Sequence, residues 1–161
     1  MKIDSDSEVL ATVGASMGRR LLGITSLAVL GGMVIYVALA TPPDLGWQVF
    51  LLALGGAAIW MADAMRRGTA HVIELTETEL RDSSGEILAR VADIESMDRG
   101  FFAFKPSNGF LLKTRSPGTR VWRPGLWWRM GRRIGVGGMT PGSQTKFMSE
   151  VLAAMMAQRD D

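Results

Sequence analysis

The sequence predicts a membrane α-helical hairpin followed by a small α+β domain. Two long apolar runs, Leu21–Ala40 and Gly46–Met65, follow one another near the start of the chain. After Thr69 they give way to short alternating segments separated by turn residues, a pattern typical of strands. A final apolar stripe has helical spacing. We therefore expect an N-terminal tail (1–18), a two-helix transmembrane hairpin (19–67) and a cytoplasmic domain (68–161).

The N-terminal tail opens acidic and becomes mildly apolar before the first long run. We expect it to be a short cytoplasmic segment. Its later part, Val9–Met17, is predicted either to extend the first helix or to lie on the membrane surface.

The two apolar runs are each long enough to cross a bilayer. Leu21–Ala40 contains no charged residue, and at 1.5 Å per residue it measures about 30 Å. The second run is interrupted only by Asp63. Pro42 and Pro43 lie between the runs and end the first helix, since proline lacks a backbone N–H and disfavours helix in the residue before it. The runs are therefore predicted to be antiparallel neighbours.

Basic and aromatic residues at the ends of the runs indicate orientation. One arginine pair precedes the first run and another follows the second, whereas the turn between them has no Lys or Arg. By the positive-inside rule, both termini of this multi-pass protein are expected in the cytoplasm, at the inner membrane. A cleaved signal peptide ending near Ala40 is the alternative. The predicted membrane-interface residues are Arg19, Arg20, Arg66, Arg67, Trp47 and Trp60.

Small residues recur four positions apart in both runs, at Ala28/Gly32 and at Ala53/Ala57, with Gly31 and the Gly55-Gly56 pair beside them. Such spacing lets helix backbones approach closely, so it predicts packing between the two spans. Docking onto another membrane protein is the alternative.

Asp63 is the one acid within the runs, and it precedes Arg66 and Arg67 by three and four residues. That spacing predicts an ion pair on one helix face. A proton-relay carboxylate is the alternative, because ionisable groups at membrane depth are often functional.

The remaining segment carries strand and turn signals. Asp82–Gly85 and Pro106–Gly109 are predicted turns, the second because Asn-Gly accepts positive φ. The predicted strands are Thr69–Leu75, Thr78–Arg81, Glu86–Arg90, Gly100–Lys105, Phe110–Arg115, Thr119–Trp122 and Arg132–Gly138.

A C-terminal amphipathic helix is predicted after these strands. Thr140 is placed to cap it and Pro141 to occupy its first position. We expect its apolar face to pack on the sheet, with a partner-binding or membrane-lying helix as the alternative. The residues of that face are Phe147, Met148, Val151, Leu152, Met155 and Met156.

The order of arginine pair, hairpin, arginine pair and β domain resembles bacterial PH-like domain proteins with an N-terminal two-helix membrane anchor. Glu74–Arg81 with Gly85 is similar to the opening hairpins of that family, and Ile94–Met97 to the turn that follows them. The resemblance implies a PH-like seven-stranded β sandwich or barrel capped by a C-terminal helix. Glu74–Arg81 carries three acids where lipid-binding eukaryotic relatives often carry basic residues, so headgroup binding is not expected at that loop.

Charge is strongly separated along the β domain. Residues 69–98 contain eight acids and two arginines, whereas residues 99–149 contain ten basic residues and no acid. A domain with such a dipole, held close to an anionic leaflet, would be attracted by about 1 kcal/mol per nearby basic residue.

Within the basic stretch of residues 99–149, the segment between Val121 and Gly138 has the highest density of arginines, and tryptophans lie among them. It is predicted to dock on lipid headgroups or on another protein, while nucleic acid is not expected for a membrane-anchored chain. The alternative is that one or two tryptophans fill the core and the arginines are solvated. The residues of this Trp–Arg segment are Trp122, Arg123, Trp127, Trp128, Arg129, Arg132 and Arg133.

This sequence of 161 residues lacks the residue types that several classes of catalytic site require. It has no cysteine and a single histidine, His71, which excludes disulfides, thiolate sites and histidine clusters. The glycines at 135–138 match neither a dinucleotide-binding nor a phosphate-binding loop. We therefore predict no catalytic residues, no cofactor and no bound metal.

These patterns together predict a non-enzymatic accessory or scaffold subunit of a larger membrane protein assembly. Its expected partners are membrane lipids and other integral membrane proteins, with the oligomeric state left open. An anionic-lipid surface sensor is the alternative. A membrane-embedded enzyme or proton-relay component using Asp63 is the third possibility.

Overall fold

The computed structural model describes residues 8–100 and 105–160. The helices are α1 (Met17–Ala40), α2 (Leu45–Gly68) and α3 (Gly142–Asp160). The strands are β1 (Ala11–Gly14), β2 (Val72–Leu75), β3 (Glu79–Asp82), β4 (Ile87–Arg90), β5 (Ile94–Asp98), β6 (Phe110–Arg123) and β7 (Trp127–Val136). A short 3-10 helix, Val91–Asp93, connects β4 to β5.

Helices α1 and α2 form the predicted hairpin. Each has 24 residues, and both are long and apolar enough to span a membrane. They are joined by residues 41–44, which contain the two prolines. At 1.5 Å per residue each helix is about 36 Å long, slightly more than the hydrocarbon core of a bilayer.

The two helices approach closely at a pair of glycines. A Cβ added to Gly31 would lie 2.8 Å from the carbonyl oxygen of Gly55, and one added to Gly55 would lie 2.9 Å from that of Gly31. Larger side chains would separate the helices here. The predicted packing between the spans is confirmed at Gly31 and Gly55, whereas Ala28, Gly32, Ala53 and Ala57 are exposed and do not contribute to it. Successive residues of a helix are rotated by about 100° about its axis. The small residues next to Gly31 and Gly55 in sequence therefore face away from the other helix.

The segment before α1 is a strand of the β domain. Strand β1 pairs antiparallel with β2, with Ala11 opposite Leu75 and Gly14 opposite Val72. The expectation that this segment extends the helix or lies on the membrane is therefore wrong. Ala11 and Val13 are buried while Thr12 is exposed, which is the two-residue period of a strand. The hairpin is thus inserted between two adjacent strands of one sheet.

Seven strands among the described residues form two antiparallel sheets. The first has the order β1-β2-β3-β4 and the second the order β5-β6-β7, and across the described residues they do not close into a barrel. The turn predicted at Ile94–Met97 is wrong, since these residues lie in β5, where Met97 is opposite Leu112. A register shift between Ile94 and Ser96 interrupts the alternation that would have identified this strand.

The long β6–β7 hairpin bends back on itself. The predicted strands Phe110–Arg115 and Thr119–Trp122 are parts of the single strand β6, whose register shifts between Lys113 and Gly118. Gly137 N–H donates to the Leu126 carbonyl oxygen at 2.8 Å, so the two ends of β7 lie side by side. Of the predicted strand Gly100–Lys105, residues 101–104 lie outside the described residues.

Helix α3 packs on the sheets as predicted. Met148 and Leu152 are fully buried, and Val151, Met155 and Met156 pack against the same core. Phe147 is the exception, since about half of it is exposed. Thr140, the predicted cap, donates its hydroxyl to the Asn108 carbonyl oxygen at 3.3 Å.

Candidate functional site

The tip of the β6–β7 hairpin packs on the end of α2. The tip is a tight turn in which Leu126 N–H donates to the Arg123 carbonyl oxygen at 3.1 Å and Gly125 has φ of 85°. Proline followed by a positive-φ glycine is the sequence of a type II turn. A Cβ added to Gly68 would lie 3.0 Å from the Pro124 carbonyl oxygen. A side chain here would force the turn to move by a few tenths of an ångström, so glycine suits this close approach.

Two tryptophans join the helical hairpin to the β domain. Trp60 of α2 stacks on Trp122 of β6, with ring centroids 6.1 Å apart and an interplanar angle of 29°. Trp60 lies about two turns before the end of α2. We call the region formed by Trp60, Gly68, Trp122, Arg123 and Pro124 the junction.

The start of α1 is held by the same part of the β domain. Arg19 Nη1 donates to the Thr140 carbonyl oxygen at 3.1 Å, and Ser16 N–H donates to that of Met139 at 2.8 Å. Arg20 Nη2 reaches the Arg66 carbonyl oxygen at 3.3 Å and so connects the two helices. Both ends of the hairpin are therefore fixed to the domain, which does not hang from a flexible linker.

The predicted pairing of Asp63 is confirmed. Arg66 Nη2 lies 2.7 Å from Asp63 Oδ1, and Arg67 Nη2 lies 3.1 Å from Asp63 Oδ2. At the opposite end of α2, Trp47 is largely exposed and makes an edge-to-face contact with Phe50 at 5.4 Å. The two tryptophans of α2 thus lie near its two ends.

The Trp–Arg segment divides between the core and the surface, and Trp127 belongs to the core. Its side chain is 1% exposed, and its Nε1–H donates to Asp82 Oδ2 at 3.3 Å. The sequence interpretation of Trp127 as a lipid- or partner-contacting residue therefore needs correction. The alternative in which a tryptophan fills the core describes Trp127.

Arg129 is also buried, at 7% exposure. Its Nε donates to the Thr119 carbonyl oxygen at 2.6 Å, its Nη1 to that of Ile87 at 2.6 Å, and its Nη2 to Glu86 Oε1 at 2.8 Å. A buried guanidinium is tolerated when its donors are satisfied in this way. Arg129 thus ties the hairpin tip to β4 and is not available to a lipid surface.

The other tryptophans lie on the outer face of the hairpin. Trp122 and Trp128 are opposite each other across β6 and β7, and Met130 beside them is half exposed. The Trp128 ring occupies the space that a Cβ on Gly135 would need. A shallow cavity of about 290 Å³ is lined by Arg120, Val121, Trp122, Trp128 and Met130.

The last two arginines of the segment lie away from the junction. Arg132 pairs with Glu95 and donates its Nε to the Thr114 carbonyl oxygen at 2.7 Å, while Arg133 is exposed. A hydrogen bond from Lys113, together with the charges of Lys113 and Arg132, lowers the pKa of Glu95 below its ordinary value. Glu95 therefore stays ionised to lower pH than a free glutamate side chain.

Neither metal-ligating side chains nor comparison with known proteins identifies a further site in the described part of the chain. Across residues 8–100 and 105–160, no group of three or more His, Cys, Asp or Glu side chains is arranged to hold a metal ion. No protein-family model matches the chain, and neither a curated protein nor a solved structure matches it.

Sequence reasoning missed two residues of the junction, Gly68 and Pro124. The sequence does contain a signal for the turn, because Pro124-Gly125 is a strong turn dipeptide. The packing of that turn against a helix end more than fifty residues earlier has no local signal.

Proposed function

We propose that the protein is a non-enzymatic, membrane-anchored accessory or scaffold subunit of a larger membrane protein assembly. The observation that carries this proposal is the outward position of small residues on both long helices. Ala28 and Gly32 on α1, and Ala53, Gly56 and Ala57 on α2, are exposed rather than used for packing between the helices. In a bilayer, small residues on an outer face allow another helix to approach closely.

The fixed attachment of the β domain supports a scaffold role. The junction and the contacts of Arg19 and Ser16 hold the domain against the hairpin. A partner bound in the membrane would therefore meet the domain in one orientation. We propose a PH-like fold for this domain, supported by two antiparallel sheets of four and three strands and a C-terminal helix packed on them.

We propose that both termini are cytoplasmic and that the hairpin crosses the inner membrane twice. The pairing of β1 with β2 supports this, because it keeps the start of α1 and the end of α2 on the same side. A reporter active only in the cytoplasm should work when fused after Asp161 and fail when inserted at Asp44. Activity at Asp44 would contradict the proposed topology.

The proposed subunit role predicts that bulky side chains on the outer helix faces release a partner. With Gly32→Leu plus Gly56→Leu, the native complex extracted in mild detergent should be depleted about tenfold, as a loss of about 1.4 kcal/mol in association implies. Neither glycine has a neighbouring atom within 4 Å of an added Cβ, so the hairpin itself should remain intact. The measurement is the amount of the protein that migrates at the mass of the native complex after solubilisation.

Val29→Leu is the matched control, because Val29 is an exposed α1 residue that is already large. It should leave the complex unchanged. A wild-type protein that migrates alone with lipid, without a stoichiometric protein partner, would reject the subunit proposal.

A second candidate function, an anionic-lipid surface sensor, is supported by the Trp60–Trp122 stack. This stack places the outer face of the β6–β7 hairpin, which carries Trp128 and Met130, close to the C-terminal end of α2. Interfacial depths favour tryptophan, whose ring is both apolar and a hydrogen-bond donor.

A further inference from the structure

A pocket opens at the junction between the last turns of α2 and the tip of the β6–β7 hairpin. Its volume is about 360 Å³, within the range of small-ligand sites. It is lined by Trp60, Ala64, Arg67, Gly68, Trp122, Arg123 and Pro124. We infer that this junction pocket binds the phosphate group of an anionic phospholipid.

The position of the pocket along α2 corresponds to headgroup depth. Trp60 and Arg67, which line it, are seven residues apart and therefore about 10 Å apart along the helix axis. The polar layer of a leaflet between hydrocarbon and water is of similar thickness, about 5–8 Å. The inference rests on the membrane placement proposed above, but it does not require a protein partner.

Two guanidinium groups supply the charge. Arg67 and Arg123 both line the pocket, with side chains 60% and 32% exposed. Arg66 and Arg67 both pair with the single carboxylate of Asp63. One negative charge therefore faces two positive charges at this end of α2. Arginine binds phosphate oxygens through paired N–H donors, which makes it suited to this ligand.

The Nε of Arg123 is buried and has no hydrogen-bond partner among the described residues. Asp82 Oδ2 lies 3.9 Å from it, close enough for an ion pair but beyond hydrogen-bond distance. That oxygen already accepts from Trp127 Nε1, and Asp82 Oδ1 accepts from Ser84 N–H at 2.8 Å. Arg123 Nε is therefore enclosed beside Asp82 and out of reach of a ligand. The terminal guanidinium nitrogens of Arg123, whose side chain is 32% exposed, are the donors that a phosphate in the pocket would meet.

The apolar wall distinguishes a lipid from free phosphate. Trp60, Trp122, Pro124 and Ala64 surround the two arginines with apolar surface. A glycerol backbone and the first methylenes of an acyl chain would cover this surface, whereas an inorganic phosphate ion would leave it exposed to water. The stacked tryptophans thus favour a phosphate that carries an apolar chain.

The test uses the full chain in detergent micelles, with lipid binding followed by native mass spectrometry. Dioleoylphosphatidylglycerol should bind with one retained molecule per chain. Arg67→Gln and Arg123→Gln should each weaken its binding by about fivefold or more, the loss expected for a charge-assisted hydrogen bond. Arg133→Gln removes the same charge from an exposed position outside the pocket and should change binding less than about twofold.

Thermal unfolding of each variant identifies losses that come from misfolding. Arg123→Lys provides a further check, because it keeps a positive charge near Asp82 but removes the paired N–H donors of the guanidinium, and it should still weaken binding while the fold is retained. Equal losses for Arg123→Gln and Arg133→Gln would overturn the inference in favour of diffuse charge attraction. Unchanged binding after combining Arg67→Gln and Arg123→Gln would also overturn it.

Two further measurements test the source of the phosphate and the membrane placement on which the inference rests. Inorganic phosphate at millimolar concentration should not displace the lipid, and displacement would overturn the assignment to a phospholipid. Carbonate extraction of native membranes reports the membrane placement by itself: release of the wild-type protein would reject the placement and the inference together. Retention in the membrane combined with no lipid binding would reject the pocket alone.

Discussion

A fragment that begins at Thr69 should fail to fold cooperatively, whereas a chain with residues 15–71 replaced by a four-residue Gly-Ser linker should fold. The fragment lacks β1, including Val13, which is fully buried, and Ala11, which is 6% exposed. Losing these side chains and uncovering Ile73 and Leu75 on β2 should cost about 3–5 kcal/mol, at about 1.5–3 kcal/mol per large buried apolar side chain. Small domains have only about 5–15 kcal/mol of stability in total.

The linked chain retains β1 because Gly14 lies opposite Val72. Opposed residues in an antiparallel pair have Cα atoms about 5 Å apart, so four residues can join them. Far-UV circular dichroism should show strand and one helix with a cooperative thermal transition for the linked chain, and a weak, broad transition for the fragment. A fragment that melts as sharply as the linked chain would show that β1 is dispensable.

Trp127→Ala should lower the free energy of unfolding by about 3–5 kcal/mol, the range for truncating a buried aromatic side chain. Trp122→Ala is the matched variant. Because Trp122 is 49% exposed and is held by one stacking contact, its loss should cost only about 0.5–1.5 kcal/mol. The measurement is denaturant unfolding of the full chain in detergent, followed by near-UV circular dichroism.

Trp127→Phe separates the two contributions of the buried ring. Phenylalanine keeps much of the apolar volume but cannot donate to Asp82, a buried carboxylate. We expect a cost of about 1–3 kcal/mol for that missing donor. Equal effects of the alanine changes at Trp122 and Trp127 would contradict the division of the Trp–Arg segment into core and surface.

The parts of the fold that the sequence predicted depend on local patterns. Long uncharged runs identify the hairpin helices, and the spacing of Asp63 before Arg66 and Arg67 identifies their ion pairs. The buried face of α3 follows from a helical period that places Met148 and Leu152 on one side. In each case the residues that interact are within a few turns of one helix.

The parts that it could not predict depend on pairing between distant residues. Strand β1 has four residues, too few for a periodic signal, and its partner β2 follows the entire hairpin. Alternation places Trp127 and Trp128 on opposite faces of β7 but does not say which face is inward. The inward position of Arg129 is possible only because carbonyl oxygens of β4 and of Thr119 meet its donors.

The position of β1 also sets an order of events during biosynthesis. β1 leaves the ribosome before α1, whereas its partner β2 emerges only after α2 has been made. The first sheet therefore stays incomplete until both long helices have been made, and the helical hairpin then brings the two strands together. A chain whose two long helices fail to pack would keep the edges of β1 and β2 exposed, and unpaired strand edges promote aggregation. Packing of the two long helices and completion of the first sheet are therefore coupled steps of folding.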